Sequence, residues 1–97
     1  YSYIQANDKT KKFIQNPKLG DIYNVKFSNG YYSNMRIDKI SNDSLFLIQN
    51  DYNAYLPYEV DDLDKPENYT NNKVSYSKKE ILDLYQKNKI FSITRNK

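Results

Sequence analysis

The sequence predicts a small, mostly β domain with five short strands and one helix before the last strand. Three observations predict it. Stretches in which apolar and polar residues alternate recur along the chain, the tight-turn pair Asn29-Gly30 joins two of them, and one helix-start motif lies near the carboxyl end. A chain of 97 residues is one domain with one thin core.

The first three strands are predicted to form two successive hairpins. Strand one spans residues 22–27, and its alternation places Tyr23, Val25 and Phe27 on one face. Asn29-Gly30 follows, a pair in which both residues accept a positive φ, and strand two covers residues 31–40. Strand three, residues 44–49, is apolar on both faces, which predicts a central position in the sheet.

The second half of the chain is less regular until its last 25 residues. Any strand between residues 50 and 72 is an edge strand, because Pro57 cannot donate to a ladder. Residues 73–76 read as strand four. Ser77 and Glu80 then form a capping box that starts a helix to about Lys87, with Asn88 as its C′ residue. Residues 90–94 alternate as strand five.

Residues 1–17 are predicted to be separate from the domain formed by residues 18–97. They are either a leader or a short helix that Asp8 caps and that ends before Asn16-Pro17, because a residue before proline resists the helical conformation. The chain begins at Tyr1 and not at methionine, so we expect a preceding segment, for which a signal or a membrane anchor is suitable.

The order of elements favours a small SH3-like five-stranded barrel with the helix before the last strand. Closing the barrel would hide the strand edges. An open α+β sheet with the helix on one face is the alternative.

Three short stretches of this sequence resemble those of small uncharacterised barrel domains from Bacteroidota. They are Leu19-Gly20-Asp21-Ile22-Tyr23, the strand entry Asp43-Ser44-Leu45-Phe46, and Tyr76-Ser77-Lys78-Lys79-Glu80-Ile81. The resemblance covers about residues 17–97 and rests on turn and capping motifs, so it implies a fold and no chemistry. Such proteins often carry an upstream hydrophobic segment. The resemblance therefore implies that this domain is the soluble part of a membrane-anchored envelope protein.

The composition argues against an enzyme and against a metal or cofactor site. Histidine and cysteine are absent, which removes the commonest general base and the ligands of zinc. The chain has only two glycines and no glycine-rich phosphate loop. The acidic run Glu59, Asp61, Asp62 and Asp64 lacks the spacing of an EF-hand, so we interpret it as a solvated loop.

The predicted function is a non-catalytic module that binds a protein or peptide. Tyr52, Tyr55 and Tyr58 are the expected anchors, because tyrosine offers large, rigid contact area at low entropic cost. Asp61 and Asp62 would form the polar rim, which suits a basic or proline-rich peptide. The competing interpretation is that these tyrosines close the barrel.

The alternative function is nucleic-acid binding by a small barrel. Its candidate face comprises basic and aromatic residues of the first hairpin, namely Lys26, Arg36, Lys39, Tyr31 and Tyr32. The net charge of +3 does not decide the matter, because a polyanion-binding site requires basic residues that cluster.

Overall fold

The fold is given by a computed structural model that describes residues 10–95. Residues 10–15 are helical and are called α1. The remaining elements are β1 (Ile22–Lys26), β2 (Tyr32–Ile40), β3 (Ser44–Gln49), a 3₁₀ turn (Pro57–Glu59), the short helix α2 (Val60–Leu63), a second 3₁₀ turn (Pro66–Asn68), β4 (Lys73–Ser77), α3 (Lys78–Gln86) and β5 (Ile90–Thr94).

The five strands form one antiparallel sheet in the order β4-β3-β2-β1-β5. The mostly β class, the number of strands and the helix before the last strand are therefore confirmed. Within residues 10–95 the edge strands β4 and β5 do not pair with each other, so the sheet is open. The SH3-like barrel stays a prediction. β3 lies between two partners, as its apolar faces predicted.

The first face of the sheet carries the main core. Tyr23, Val25, Met35, Ile37, Leu45 and Leu47 point to this face, as the alternation of β1, β2 and β3 dictates. Helix α3 joins the two edge strands and packs its buried Ile81 on this layer. Ile14 of α1 is buried in the same cluster.

The second face is covered by the long segment between β3 and β4. Ile22, Ile48 and Tyr69 form a small apolar cluster there. Asn24, Asn34 and Asn50 are also buried. Buried amides need partners, and Asn24 donates to the hydroxyls of Ser92 (2.9 Å) and Thr94 (3.2 Å) on β5.

A clamp at one end of the sheet ties β5 to the beginning of the described chain. The guanidinium of Arg95 donates two hydrogen bonds of 2.8 Å to the buried carboxylate of Asp21, which precedes β1. It also donates to the carbonyl of Asn16 (2.7 Å) and lies 4.0 Å from the ring centroid of Phe13. A bidentate, partly buried pair of this kind is among the stronger side-chain interactions.

The predicted local signals are present with one difference in the first hairpin. Gly30 has φ +91°, and among residues 10–95 the one non-glycine residue with positive φ is Asn88, at 61°. Asn29 therefore does not adopt the positive φ that the pair permits; its side chain instead accepts from the N–H of Tyr31 (3.1 Å). Asn88 follows α3 as a C′ residue should.

The predicted capping box is formed at the start of α3. The N–H of Glu80 donates to the hydroxyl of Ser77 (3.0 Å), and the N–H of Ser77 donates to the carboxylate of Glu80 (2.9 Å). At the other end of the chain, residues 10–15 have the helix that was one of two predictions for this segment. Its expected cap, Asp8, lies outside the described residues.

Candidate functional site

The most exposed aromatic surface is the segment of residues 50–64, here called the tyrosine loop. Its backbone is fixed to the sheet although it forms no strand of its own. Ala54 makes an isolated antiparallel bridge to Tyr32 at the start of β2, with N–O distances of 2.9 and 2.7 Å. The N–H of Asn50 donates to the carbonyl of Asn34 (2.8 Å).

A buried polar network fixes the other end of the tyrosine loop. The Nδ2 of Asn34 donates to the carbonyl of Val60 (2.9 Å). The Nδ2 of Asn50 donates to Oδ1 of Asn34 (2.8 Å) and to the carbonyl of Leu63 (2.7 Å). The network therefore connects α2 to β2 and to Asn50 at the end of β3.

Tyr69 closes this network from the segment that follows the loop. Its hydroxyl donates to Asp64, and the oxygen lies 2.9 Å from both Oδ1 of Asp64 and Oδ1 of Asn34. Burial, followed by the hydrogen bond to Asp64, raises the pKa of Tyr69 well above its usual range. The guanidinium of Arg36 lies 4.9 Å from the centroid of the same ring.

The three tyrosines predicted as anchors all lie on the surface of the loop. Tyr52 is 58% exposed, Tyr55 is 74% exposed and Tyr58 is 72% exposed. Tyr31, from the first hairpin, meets Tyr55 with ring centroids 5.2 Å apart and planes tilted by 58°. Leu56, which lies between Tyr55 and Tyr58 in the sequence, is also exposed. The loop therefore presents a run of apolar and phenolic groups on a fixed backbone.

The charge of the tyrosine loop has one sign. Residues 50–64 contain five carboxylates and no lysine or arginine, although the whole chain has 15 basic residues. Asp61 and Asp62 are exposed on α2. The carboxylate of Glu59 accepts from the N–H of Leu56 (3.0 Å) and so stabilises the turn beside Tyr58. The predicted polar rim is thus exposed, as are the predicted anchors, and follows Tyr58 by three and four residues.

The residues of the alternative nucleic-acid face are divided among four places. Lys26 lies over Tyr32, 5.8 Å from its ring centroid, and Tyr32 meets Phe91 edge to face at 5.7 Å. Tyr31 belongs with Tyr55. The guanidinium of Arg36 stacks on the ring of Tyr69. Lys39 lies farther along β2, with its ammonium 5.8 Å from the ring centroid of Phe46.

Sequence reasoning missed several members of these surfaces. The contacts that Tyr31 makes with Tyr55 and Tyr32 makes with Phe91 join residues 24 and 59 positions apart, and no local pattern announces them. Leu56 had a signal, since it lies among the three tyrosines. The exposure of Phe46 could not be predicted. An apolar run on a central strand predicts burial, whereas Phe46 is 40% exposed.

The arrangement offers recognition chemistry: ring faces, phenolic hydroxyls and carboxylates on a fixed loop. Among the described residues no group of three or more histidine, cysteine, aspartate or glutamate side chains is placed to hold a metal ion. Over residues 10–95 no helix has the length and apolar character that crossing a membrane requires.

Comparisons with known proteins add no relative. No protein-family model matches this sequence, and no curated protein or solved structure is significantly similar to it. The resemblance to barrel domains of Bacteroidota therefore stays an expectation.

Proposed function

We propose that this domain is a non-catalytic interaction module that binds a basic segment of a partner protein through the tyrosine loop. The observation that carries the proposal is that Tyr52, Tyr55 and Tyr58 are all more than half exposed while their backbone is fixed to the sheet. A pre-ordered loop loses little conformational entropy on binding, and exposed tyrosines then supply most of the contact area.

The exposure of the tyrosines supports a surface role over a role in closing the core. The core on the first face is complete without them, since its buried members come from the strands, α1 and α3. Ile22, Ile48 and Tyr69 form the apolar cluster on the second face. The buried apolar residues of the loop itself are Ala54 and Val60, not its tyrosines. Tyr31 and Tyr55 are in ring contact, and exposed apolar groups that adjoin one another are typical of interaction sites.

The preference for a basic partner follows from the charge of the loop. The carboxylates of Asp61 and Asp62 are exposed three and four residues after Tyr58, and the loop contains no basic residue. An arginine or lysine of the partner would stack on a tyrosine ring, an interaction of about 0.5–1 kcal/mol at an exposed site. The same side chain would also be attracted by the carboxylates, which steer association.

The wider setting is part of the proposal. The pairing of β5 with β1 after the helix supports an SH3-like arrangement of the strands, in which aromatic residues of a long loop bind peptides. The resemblance to Bacteroidota domains supports the proposal that this domain is the extramembrane part of an envelope protein. Fractionation of the source cells tests this setting, because recovery in the soluble cytoplasmic fraction would contradict it.

Binding to a peptide array tests the proposed function. We expect peptides of about twelve residues to bind more strongly as their net charge rises from acidic to basic, with a proline-rich basic set as a further arm. Tyr55→Ala combined with Tyr58→Ala should weaken binding of the best basic peptide by at least about tenfold, which is about 1.4 kcal/mol.

Leu82→Ala is the matched control, because it removes an exposed apolar side chain from α3, away from the loop. We expect it to bind like the wild type. Both variants should keep the wild-type melting temperature within a few degrees, since each changes exposed side chains. Binding that ignores peptide charge, or an unaffected double variant, would contradict the proposal.

A further inference from the structure

The second face of the sheet carries another exposed aromatic residue, outside the tyrosine loop. Among the described strand residues Phe46 is the one large apolar side chain that is exposed. It lies on β3, opposite Lys39 of β2 and Ser75 of β4. The segment that covers Ile48 on the same face leaves Phe46 open to solvent. A ring on an open sheet face is a stacking platform.

Two exposed lysines flank this ring. The ammonium of Lys39 lies 5.8 Å from the centroid of Phe46. Lys73 is on β4, two residues before Ser75, and therefore on the same face and diagonal to Phe46. Both lysines have flexible stems, so their ammonium groups can move from the ring to a nearby anion. Arg36 does not join them, because it stacks on Tyr69.

An open cavity of about 180 Å³ adjoins the ring. Phe46, Lys73, Ser75 and the exposed Asp38 are among the residues that line it. The carboxylate of Asp38 can accept hydrogen bonds from the amino groups of a nucleobase. The lining therefore favours a ligand that combines a flat ring, hydrogen-bond donors and separate negative charges.

We propose that the Phe46 patch, formed by Phe46, Lys39, Lys73 and Asp38, binds single-stranded nucleic acid. One base stacks on Phe46, its amino group donates to Asp38, and Lys39 and Lys73 bind the phosphates on either side. Stacking and backbone neutralisation tolerate any base, whereas the contact to Asp38 favours adenine, cytosine or guanine, because uracil and thymine have no amino group. The patch uses one lysine, Lys39, of the face that the sequence suggested and adds three residues that it did not.

This patch is independent of the tyrosine loop. Lys39 is seven residues from Tyr32, where the loop is bridged to β2, which corresponds to roughly 20 Å along a strand. The two surfaces also have charges of opposite sign, so one ligand class does not suit both.

Fluorescence anisotropy with labelled single-stranded RNA and DNA octamers tests the proposal. We expect saturable binding whose Kd rises about sevenfold from about 50 to about 200 mM salt, since two phosphate contacts on a single strand give a slope of about −1.4. Equal affinity for RNA and DNA would show that the patch contacts the base and the phosphates and not the sugar. Tighter binding of RNA indicates an added contact to the 2′-hydroxyl.

Matched substitutions at Phe46 identify the stacking. Phe46→Tyr keeps an aromatic ring and should bind like the wild type, whereas Phe46→Leu keeps the apolar volume and should weaken binding at least about fivefold. Lys39→Gln with Lys73→Gln should weaken binding and flatten the salt slope. Lys79→Gln on α3 and Tyr55→Ala are controls without effect. No saturable binding at low salt, or equal binding of the leucine and tyrosine variants, would overturn the proposal.

Discussion

Tyrosines of this chain occupy opposite environments, and the residues around each tyrosine decide which. Tyr23 alternates with Val25 in a strand and is completely buried. Tyr69 is buried with Ile22 and Ile48, and Asn34 and Asp64 provide hydrogen-bond partners for its hydroxyl. Tyr55 and Tyr58 lie beside Leu56 and Pro57 in a segment without a strand pattern, and they remain exposed. Alternation therefore predicted Tyr23 correctly, whereas the burial of Tyr69 depends on partners that are distant in the sequence.

Tyr23 yields a prediction about stability at neutral pH. Its buried hydroxyl has no hydrogen-bond partner in the described part of the chain, and an unsatisfied buried hydroxyl costs about 1–3 kcal/mol. Tyr23→Phe should therefore raise the free energy of unfolding in urea at pH 7 by about 1 kcal/mol. Tyr58→Phe, at an exposed position, should leave it unchanged. A destabilised Tyr23→Phe variant would show that the hydroxyl has a partner.

The same residue sets part of the alkaline limit of the fold. Burial, followed by the charge of Asp21, raises the pKa of Tyr23 well above its usual range. Above about pH 10 the unfolded tyrosine ionises while the folded one stays neutral, so stability falls as pH rises, by about 1.4 kcal/mol per pH unit for each such group. Urea unfolding at pH 10 to 11 should show a smaller fall for Tyr23→Phe than for the wild type. An equal fall would contradict the assignment.

At the scale of elements, the strands and α3 follow local rules and the tyrosine loop does not. β3 and β5 have the predicted bounds, and β1, β2, β4 and α3 differ from the predicted bounds by about a residue at an end. Period-two alternation and the box of Ser77 and Glu80 act within a few residues. The loop is instead positioned by Asn34 and Asn50, which are 16 residues apart, and a sequence pattern cannot show that convergence.

The buried amide of Asn50 should therefore contribute substantially to the stability of the fold. Asn50→Ala removes its bonds to Asn34 and Leu63 and the bond that its Oδ1 accepts from the N–H of Tyr52 (2.9 Å). We expect a loss of about 2–3 kcal/mol in the free energy of unfolding, because buried partners lose their hydrogen bonds. Faster hydrogen exchange of the loop amides should accompany it.

Asn72→Ala is the control for this change. Asn72 is exposed, and its side chain bonds only the exposed Asp51 in the described structure. We expect a loss below about 0.5 kcal/mol. Equal losses for the two variants would contradict the anchoring role of the buried network.

At the scale of the whole molecule, the net charge of +3 conceals two surfaces of opposite sign. The tyrosine loop has only acidic charges, whereas the exposed Phe46 lies between Lys39 and Lys73. Composition suggested neither surface, because the contacts of Tyr31 with Tyr55 and of Lys39 with Phe46 join residues from different parts of the chain. The open sheet could not be predicted from local patterns either. Packing across the domain determines that β5 pairs with β1 and that β4 and β5 lie at opposite edges.

The most direct test of the central claim is a map of amide chemical shifts during titration with a basic peptide. We predict saturable shifts confined to the tyrosine loop and to Tyr31 and Tyr32, which contact it. Residues around Phe46 should not shift. Shifts concentrated at Phe46, or none at millimolar peptide, would contradict the assignment of the tyrosine loop as the peptide-binding surface.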